Sequence, residues 1–182
     1  IICANRKIKL AELQAEAAKI GDRLVVRRKA YLSPRSVGFN VQGVRVAVHR
    51  VTGEIMTLQS VHAADIGRLI NPMQCRGQLD GAIAMGFGWA LYEKMVYDDN
   101  GAMVNPALRD YRIPAFADVP RSELYFADTY DKVGPLGAKA QGECAINAVA
   151  PAIANAVVNA TGVRFPDLPL TPDRIFAKLG SR

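Results

Sequence analysis

Between Lys7 and Ile20 the apolar residues Ile8, Leu10, Leu13, Ala17 and Ile20 alternate with Glu12, Gln14, Glu16 and Lys19 at three- and four-residue intervals. That period predicts a helix, with Gly21 as its stop. Leu24-Val25-Val26 reads as a short strand, and Ser33 to Ser36, with Pro34, as a loop. From Val44 the period drops to two. Val44, Val46 and Val48 alternate with Arg45, Ala47 and His49, and Ile55, Met56, Leu58 and Val61 follow the turn Val51-Thr52-Gly53. Two β-rich runs about a Thr-Gly turn predict an antiparallel hairpin with one covered face. His49 and His62 are expected on the hairpin surface. The stretch Ala63 to Pro72 then reads as a loop of turn formers.

A second helical stretch runs from about Met73 to Met95 through Leu79, Ile83, Phe87, Ala90, Leu91 and Met95. It contains Gly77, Gly81, Gly86 and Gly88, and each glycine inside a helix costs about 0.5–1 kcal/mol relative to alanine. Gly77, Gly81 and Gly88 fall near one stripe, where a neighbouring element or a ligand is expected to come close; packing is the simpler reading. Asp98 to Gly101 is a turn, the proline-bearing region beyond it is irregular, and Leu124 to Ala127 reads as a strand. Ala148 to Thr161 is an Ala-rich helix ended by Gly162, with Pro151 either starting or kinking it. The last helix has Thr171 as N-cap, Pro172 at its first position, Asp173 in its first turn and Gly180 at its end. Hairpins and helices without a regular βαβ rhythm give an α+β fold, a layered domain with antiparallel hairpins packed against helices.

Composition narrows the classes. The 182 residues suffice for one domain with a sizeable core, and 50% apolar with 22% charged residues is ordinary globular usage. No apolar run approaches the length of a membrane span, no signal peptide is visible, and a cytoplasmic location is expected, with the periplasm as the alternative. The sequence opens on Ile1 rather than Met and is expected to be part of a longer chain. Cys3, Cys75 and Cys144 are an odd, widely spaced set, which argues against a disulfide framework and against a zinc or iron–sulfur site. The net charge of +6 gathers partly between Arg6 and Lys29, but few aromatic residues accompany it, so a solvated face is favoured over a nucleic-acid surface.

The most unusual segment is Gly134-Pro135-Leu136-Gly137-Ala138-Lys139-Ala140-Gln141-Gly142-Glu143, where small residues and a proline surround one carboxylate ahead of an apolar helix. Glycines let a backbone pass close to a ligand, and a helix N-terminus offers free N–H groups. Read on spacing alone, Glu143 is also explained as a residue that the helix dipole favours.

Lys139-Ala140-Gln141-Gly142-Glu143 resembles the K-x-x-G-E segment of molybdenum hydroxylases, the xanthine dehydrogenase and aldehyde oxidase family. Upstream, Asp65-Ile66-Gly67, Asn71-Pro72, Gly77-Gln78-x-x-Gly81, Gly86-x-Gly88 and Leu91-x-Glu93 are similar to that family's D-x-G, N-P, G-Q-x-x-G, G-x-G and E elements, in order. Thr52-Gly53-Glu54, Tyr111-x-Ile113-Pro114 and Leu168-Pro169-Leu170-Thr171-Pro172-Asp173 extend the likeness, which covers about four fifths of the chain. Cys144-Ala145 depart from it, since two prolines or small residues often follow G-E.

The resemblance implies that residues 1–182 are the C-terminal part of a molybdenum-cofactor-binding domain. It implies Glu143 as the general base in hydroxylation of an aldehyde or an N-heterocycle, a role that suits a carboxylate near working pH. Gln78 would contact the pterin, though a buried Gln satisfied by a neighbouring loop is an equal reading, and Gly142 with the backbone of Lys139, Ala140 and Gln141 would line the pocket floor. Molybdopterin would carry the metal, so no protein metal ligand is expected. Iron–sulfur clusters and FAD would lie on other domains or subunits, and the remainder of the large subunit would be a partner. The chain alone is expected to hold no cofactor and to be inactive. Two rival readings are a non-catalytic assembly domain of the same fold and an unrelated basic α+β binding module.

Overall fold

The hairpin forms the centre of the larger of two units. The computed structural model describes residues 2–3, 6–22, 24–25, 27, 29 and 35–180. The chain divides into compact units at residues 33 and 34. In the first, β1 (Ile2–Cys3) pairs antiparallel with β2 (Arg6–Lys7), and α1 (Leu10–Lys19) follows. Glu12 Oε2 accepts from the Lys9 backbone N–H at 3.4 Å, and no residue of α1 is buried. Leu24 and Val25 are not in a strand, and Val26, the third residue of the expected strand, lies outside the described residues.

In the second unit β3 (Phe39–Val48) pairs antiparallel with β4 (Ile55–Asp65), as the alternation predicts. Arg45 faces Gln59 and Val46 faces Thr57, so Leu58 is an extra residue and the register shifts there. Such a bulge reverses which side chains point inward. Ile55 and Thr57 face the helices before it; Ser60, His62 and Ala64 do so after it, with Ser60, His62 and Ala64 fully buried. His62 is therefore not a surface residue, contrary to the alternation read without a bulge. Its Nδ1 lies 2.6 Å from Gln42 Oε1 and its Nε2 3.0 Å from Asn40 Oδ1. Gln42 Nε2 donates to Ser60 Oγ at 2.9 Å, and Ser122 Oγ donates to Ser60 Oγ at 2.7 Å. These bonds hold the Gln42 carbonyl toward His62, so Nδ1 carries the proton; a neutral ring is then fully satisfied when Asn40 turns its amide NH₂ to Nε2. Burial lowers the His62 pKa. His49 does sit at the turn, where its Nδ1 accepts from the Thr52 N–H at 3.0 Å.

β5 (Ser122–Phe126) joins β4 in parallel, so the three-stranded sheet, in the order β3-β4-β5, is mixed. The β4-to-β5 connection passes through α2 (Pro72–Leu91), and α3 (Val149–Thr161) packs with α2 over the same face of the sheet. Ile83, Phe87 and Ala90 of α2 meet Val149, Ile153 and Val157 of α3, with Leu170 and with Ile175 of α4 (Pro172–Gly180). Each such fully buried large side chain stabilises the fold by roughly 1.5–3 kcal/mol. A second cluster of Ala64, Ile66, Leu79, Ala82, Ala145 and Ile146 lies under the start of α2.

The helix ends follow local chemistry. Asn71 Oδ1 accepts from the Gln74 N–H at 3.1 Å and Pro72 occupies the first helical position. Gly162, in the left-handed region at φ 69°, closes α3. Pro151 lies in the first turn of α3, where its missing N–H has no helical partner to lose, so it starts the helix without kinking it. α2 stops at Leu91, short of Met95, because Tyr92 and Glu93 both turn back to donate to the Gly88 carbonyl. Glu93 then accepts from Tyr111 Oη at 2.8 Å, while Arg112 lies 4.2 Å over the Tyr92 ring and 2.9 Å from Asp118. These contacts anchor the irregular stretch between α2 and β5.

The glycines of α2 are not one packing stripe. A Cβ at Gly77 or Gly81 would have nothing within 4 Å. At Gly86 it would lie 2.4 Å from Val149 Cβ, and at Gly88 it would lie 2.0 Å from Glu93 Oε1. The close approach of α3 falls on Gly86, a residue the stripe omits.

Candidate functional site

The loop that carries Glu143 is pinned to the end of β4. Lys139 Nζ donates to Asp65 Oδ2 at 2.7 Å, Thr129 Oγ1 to Asp65 Oδ1 at 2.5 Å, and the Gly67 N–H to Asp65 Oδ1 at 3.1 Å. The Lys139 ammonium is the largest cause holding the Asp65 carboxyl at a pKa of about 2, below its ordinary 3.8. Backbone bonds run alongside, from the Lys139 N–H to the Ile66 carbonyl and from the Arg68 N–H to the Gly137 carbonyl, each at 2.8 Å. Gly67 has φ 67°, and a Cβ there would lie 2.3 Å from the Gly137 oxygen. Only glycine fits a position that is both left-handed and this crowded. The D-x-G element is thus the clamp on the K-x-x-G-E loop.

Beyond the clamp, Gln78 reaches from α2 and its Nε2 donates to the Gly142 carbonyl at 3.0 Å. Gln78 touches the neighbouring loop but is exposed, so it is not the buried glutamine of the alternative reading. Gly142 is held next to Glu143, whose carbonyl accepts from the Ile146 N–H at 3.2 Å and begins the turn into the short 3-10 segment Ile146–Ala148 ahead of α3. The structure brings Gln78 against Gly142, which Gln141 and Glu143 flank in sequence. The Lys139 side chain is turned to Asp65 and half-buried. Ala140 is exposed, with its carbonyl toward Gly38.

Glu143 itself is exposed at the edge of a hollow of about 280 Å³, which it lines with Met85, Trp89, Cys144, Ile146 and Asn147. Met85 and Trp89 follow Gln78 by seven and eleven residues, a helical repeat that keeps all three on one face of α2. Met85, Trp89 and Asn147 were not among the residues that the motifs single out. The helical repeat counted from Gln78 is the signal that finds the first two. Asn147 is placed only by the three-dimensional fold.

Cys144 Sγ donates to Gln141 Oε1 at 3.2 Å. Gln141 Nε2 is the one buried side-chain nitrogen or oxygen without a hydrogen-bond partner among the described residues. A buried donor left unpaired costs about 1–3 kcal/mol, so this amide is suited to an acceptor outside the chain. Among the described residues, no group of three or more His, Cys, Asp or Glu side chains could hold a metal ion. Cys75 and Cys144 are free thiols.

A family model described as the molybdopterin cofactor-binding domain matches residues 1–120. The chain is 42% identical over 138 residues to the aldehyde oxidoreductase molybdenum-binding subunit PaoC of Escherichia coli (strain K12), covering 75% of this chain and 19% of that one. It is also 42% identical over 134 residues to the xanthine dehydrogenase molybdenum-binding subunit of Escherichia coli O157:H7, covering 73% and 17%. Quinoline 2-oxidoreductase from Pseudomonas putida 86 is similar in structure, with a TM-score of 0.71 and 34% identity over 75% of this chain and 18% of that one. The chain therefore spans less than a fifth of the length of the relatives it matches.

Proposed function

The chain belongs to the molybdopterin cofactor-binding domain family, and on that basis we propose that it forms part of a molybdenum-dependent oxidoreductase subunit in which Glu143 is the general base. The reaction would be hydroxylation of an aldehyde or an N-heterocycle. The observation that carries the reading is an exposed carboxylate two residues along the chain from Gln141, whose buried Nε2 is unpaired, on a loop held at Lys139 and at Gly142.

The residues present fit a polar heterocyclic cofactor. Gln141 offers an unused donor, Gln78 an amide on an open face of α2, and nothing lies within 4 Å of a Cβ at Gly77, Gly81 or Gly142. Gln78, Gln141 and Gly142 would hold molybdopterin, with Ala140 and the Lys139 backbone beside them. When bound, the group would supply the metal centre that accepts the substrate's electrons. Glu143 would take the proton that must leave the attacking oxygen, and its exposed position would let it pass that proton to solvent. The Asp65–Lys139 pair would keep the loop from shifting as that charge changes. Iron–sulfur and flavin groups would lie on other domains or subunits, and the rest of the large subunit would complete the pocket. No described helix is long and apolar enough to cross a membrane.

Glu143→Gln in the intact, cofactor-loaded enzyme tests the assignment. The substitution keeps size and hydrogen bonding but removes proton acceptance, so kcat should fall by about 10²- to 10⁴-fold, the usual worth of a general base. Molybdenum content should be unchanged. Near wild-type turnover would remove Glu143 from the mechanism.

A further inference from the structure

We propose that the groove between α2 and residues 114–122 is an internal docking site. In the intact protein a segment of the same subunit, from outside these 182 residues, fills it with an apolar side chain and a neighbouring carboxylate. The proposal rests on the chain being part of a larger subunit and is independent of Glu143 as the base.

The groove is a different place from the Glu143 loop. Arg76, Asp80, Ile83 and Ala84 line it from α2, at spacings of four, three and one that gather them on one face of the helix. Gln78, two residues beyond Arg76, lies about 200° around the helix from it. The other wall is irregular chain ending at Ser122, the first residue of β5. The groove has a volume of about 680 Å³, and apolar residues such as Ile83, Pro114, Phe116 and Val119 supply most of its lining. Phe116 is 101% exposed, so nothing among the described residues covers its ring. Apolar surface of this kind, open to water and rimmed by charge, is what a covering segment removes.

The polar lining is lopsided. Arg76 lies 3.5 Å from Asp80 with both side chains about half-exposed, and the Arg121 side chain has no hydrogen bond or ion pair among the described residues. Ser122 Oγ is already spent on Ser60. Two arginines against one aspartate leave one net positive charge, which a carboxylate on the occupant matches. Phenylalanine and arginine are also residue types that protein contacts favour.

Size decides the source of the segment. Eleven residues line the groove, whereas a separate protein partner needs about 20–30 residues a side for a stable contact. A segment of the same subunit needs far fewer, because the connecting chain sets its effective concentration. Small-molecule sites enclose about 70–90% of their ligand, and a groove with a wholly exposed Phe116 among its walls encloses little. The chain spans 19% of PaoC, so most of such a subunit lies outside it and is there to supply the segment.

Two measurements on the intact subunit test the proposal. Hydroxyl-radical oxidation of Phe116 is compared with that of an unstructured peptide spanning residues 112–122. Cover by the segment should slow it about threefold or more, and a smaller effect would overturn the proposal. Arg121→Lys then places a primary amine at the groove, and a zero-length carbodiimide joins an amine only to a carboxylate in contact with it. Mass spectrometry of the monomer band from a denaturing gel should show position 121 linked to an Asp or Glu of the same subunit outside these residues. A link to another subunit, to a second copy or only to Asp80, or no link at all, would overturn it. Neither measurement involves Glu143, whereas turnover of the Glu143→Gln enzyme bears on the base alone.

Discussion

Replacing Gly86 with alanine tests the packing of α2 on α3 at a single atom. The new Cβ would lie 2.4 Å from Val149 Cβ, 2.7 Å from Cγ1 and 3.0 Å from Cγ2. Val149 is completely buried, and its Cβ is fixed to the backbone, so no rotamer change clears the first contact. The helices must part by several tenths of an ångström, and overpacking of this kind costs about 1–3 kcal/mol. Gly81→Ala is the control, because its Cβ would have nothing within 4 Å. Both variants gain the same helix propensity, about 0.5–1 kcal/mol, which cancels in the comparison. The two should therefore differ by about 1–3 kcal/mol, with Gly81→Ala the more stable. Urea unfolding followed by circular dichroism reads this as midpoints separated by about 1 M, given a slope of about 1–3 kcal/mol per M. Adding Val149→Ala to Gly86→Ala should recover only part of the loss, since it removes both γ-carbons but leaves the Cβ contact. Equal midpoints for Gly81→Ala and Gly86→Ala would mean that α3 does not approach α2 at Gly86, and the core arrangement described above would be wrong.

Acid should weaken the fold in two separate windows. His62 has a lowered pKa through burial, so the unfolded chain binds its proton more readily, and stability should fall as pH drops through about 6.5. Asp65, held at about 2 chiefly by Lys139, adds stability above its ordinary 3.8 that is lost as pH falls from there toward 2. Thermal melts from pH 8 to 2 should show the second loss reduced in Asp65→Asn and the first unaffected; an unchanged profile in that variant would discount the clamp. Gln78→Leu removes the donor to Gly142 and should cost about 0.5–1.5 kcal/mol, with faster amide exchange at Gly142 and Glu143. Unaltered exchange there would mean that Gln78 does not hold the loop. The purified 182-residue chain should contain no stoichiometric molybdenum, because affinity for a large polar cofactor is spread over many contacts and this chain spans 19% of a relative such as PaoC. Metal analysis at one molybdenum per chain would contradict that.

Features that depend on neighbours in sequence were legible. The hairpin about Thr52-Gly53, the Gly162 stop and the proline start of α4 all follow from short-range chemistry, and all are present. The strand at Leu124 was legible too, but its parallel pairing to β4 was not, since α2 and the irregular stretch separate the partners. His62 was misplaced because one unpaired residue, Leu58, reverses the inward face, and alternation carries no mark of a bulge. Gly86 was passed over because glycine spacing shows which residues share a face, not what stands opposite. At the site, the spacing of the K-x-x-G-E segment does not show that the Lys139 charge is matched by Asp65, 74 residues away.

That pairing separates two kinds of residue within the motifs. Asp65, Gly67, Asn71, Gly88, Glu93 and the Lys139 side chain are spent on structure: a clamp, a crowded turn, a helix cap and a helix stop. A likeness built on them alone would establish architecture without chemistry. Gln141 and Glu143 are different. A packing role for Gln141 would pair both ends of its amide, yet Cys144 donates to the oxygen and the buried Nε2 is unpaired. The Glu143 carboxylate stands exposed at the hollow that Trp89 also lines, whereas those of Asp65 and Asp118 are paired. On the reading proposed above, the partner of that amide would come with the ligand.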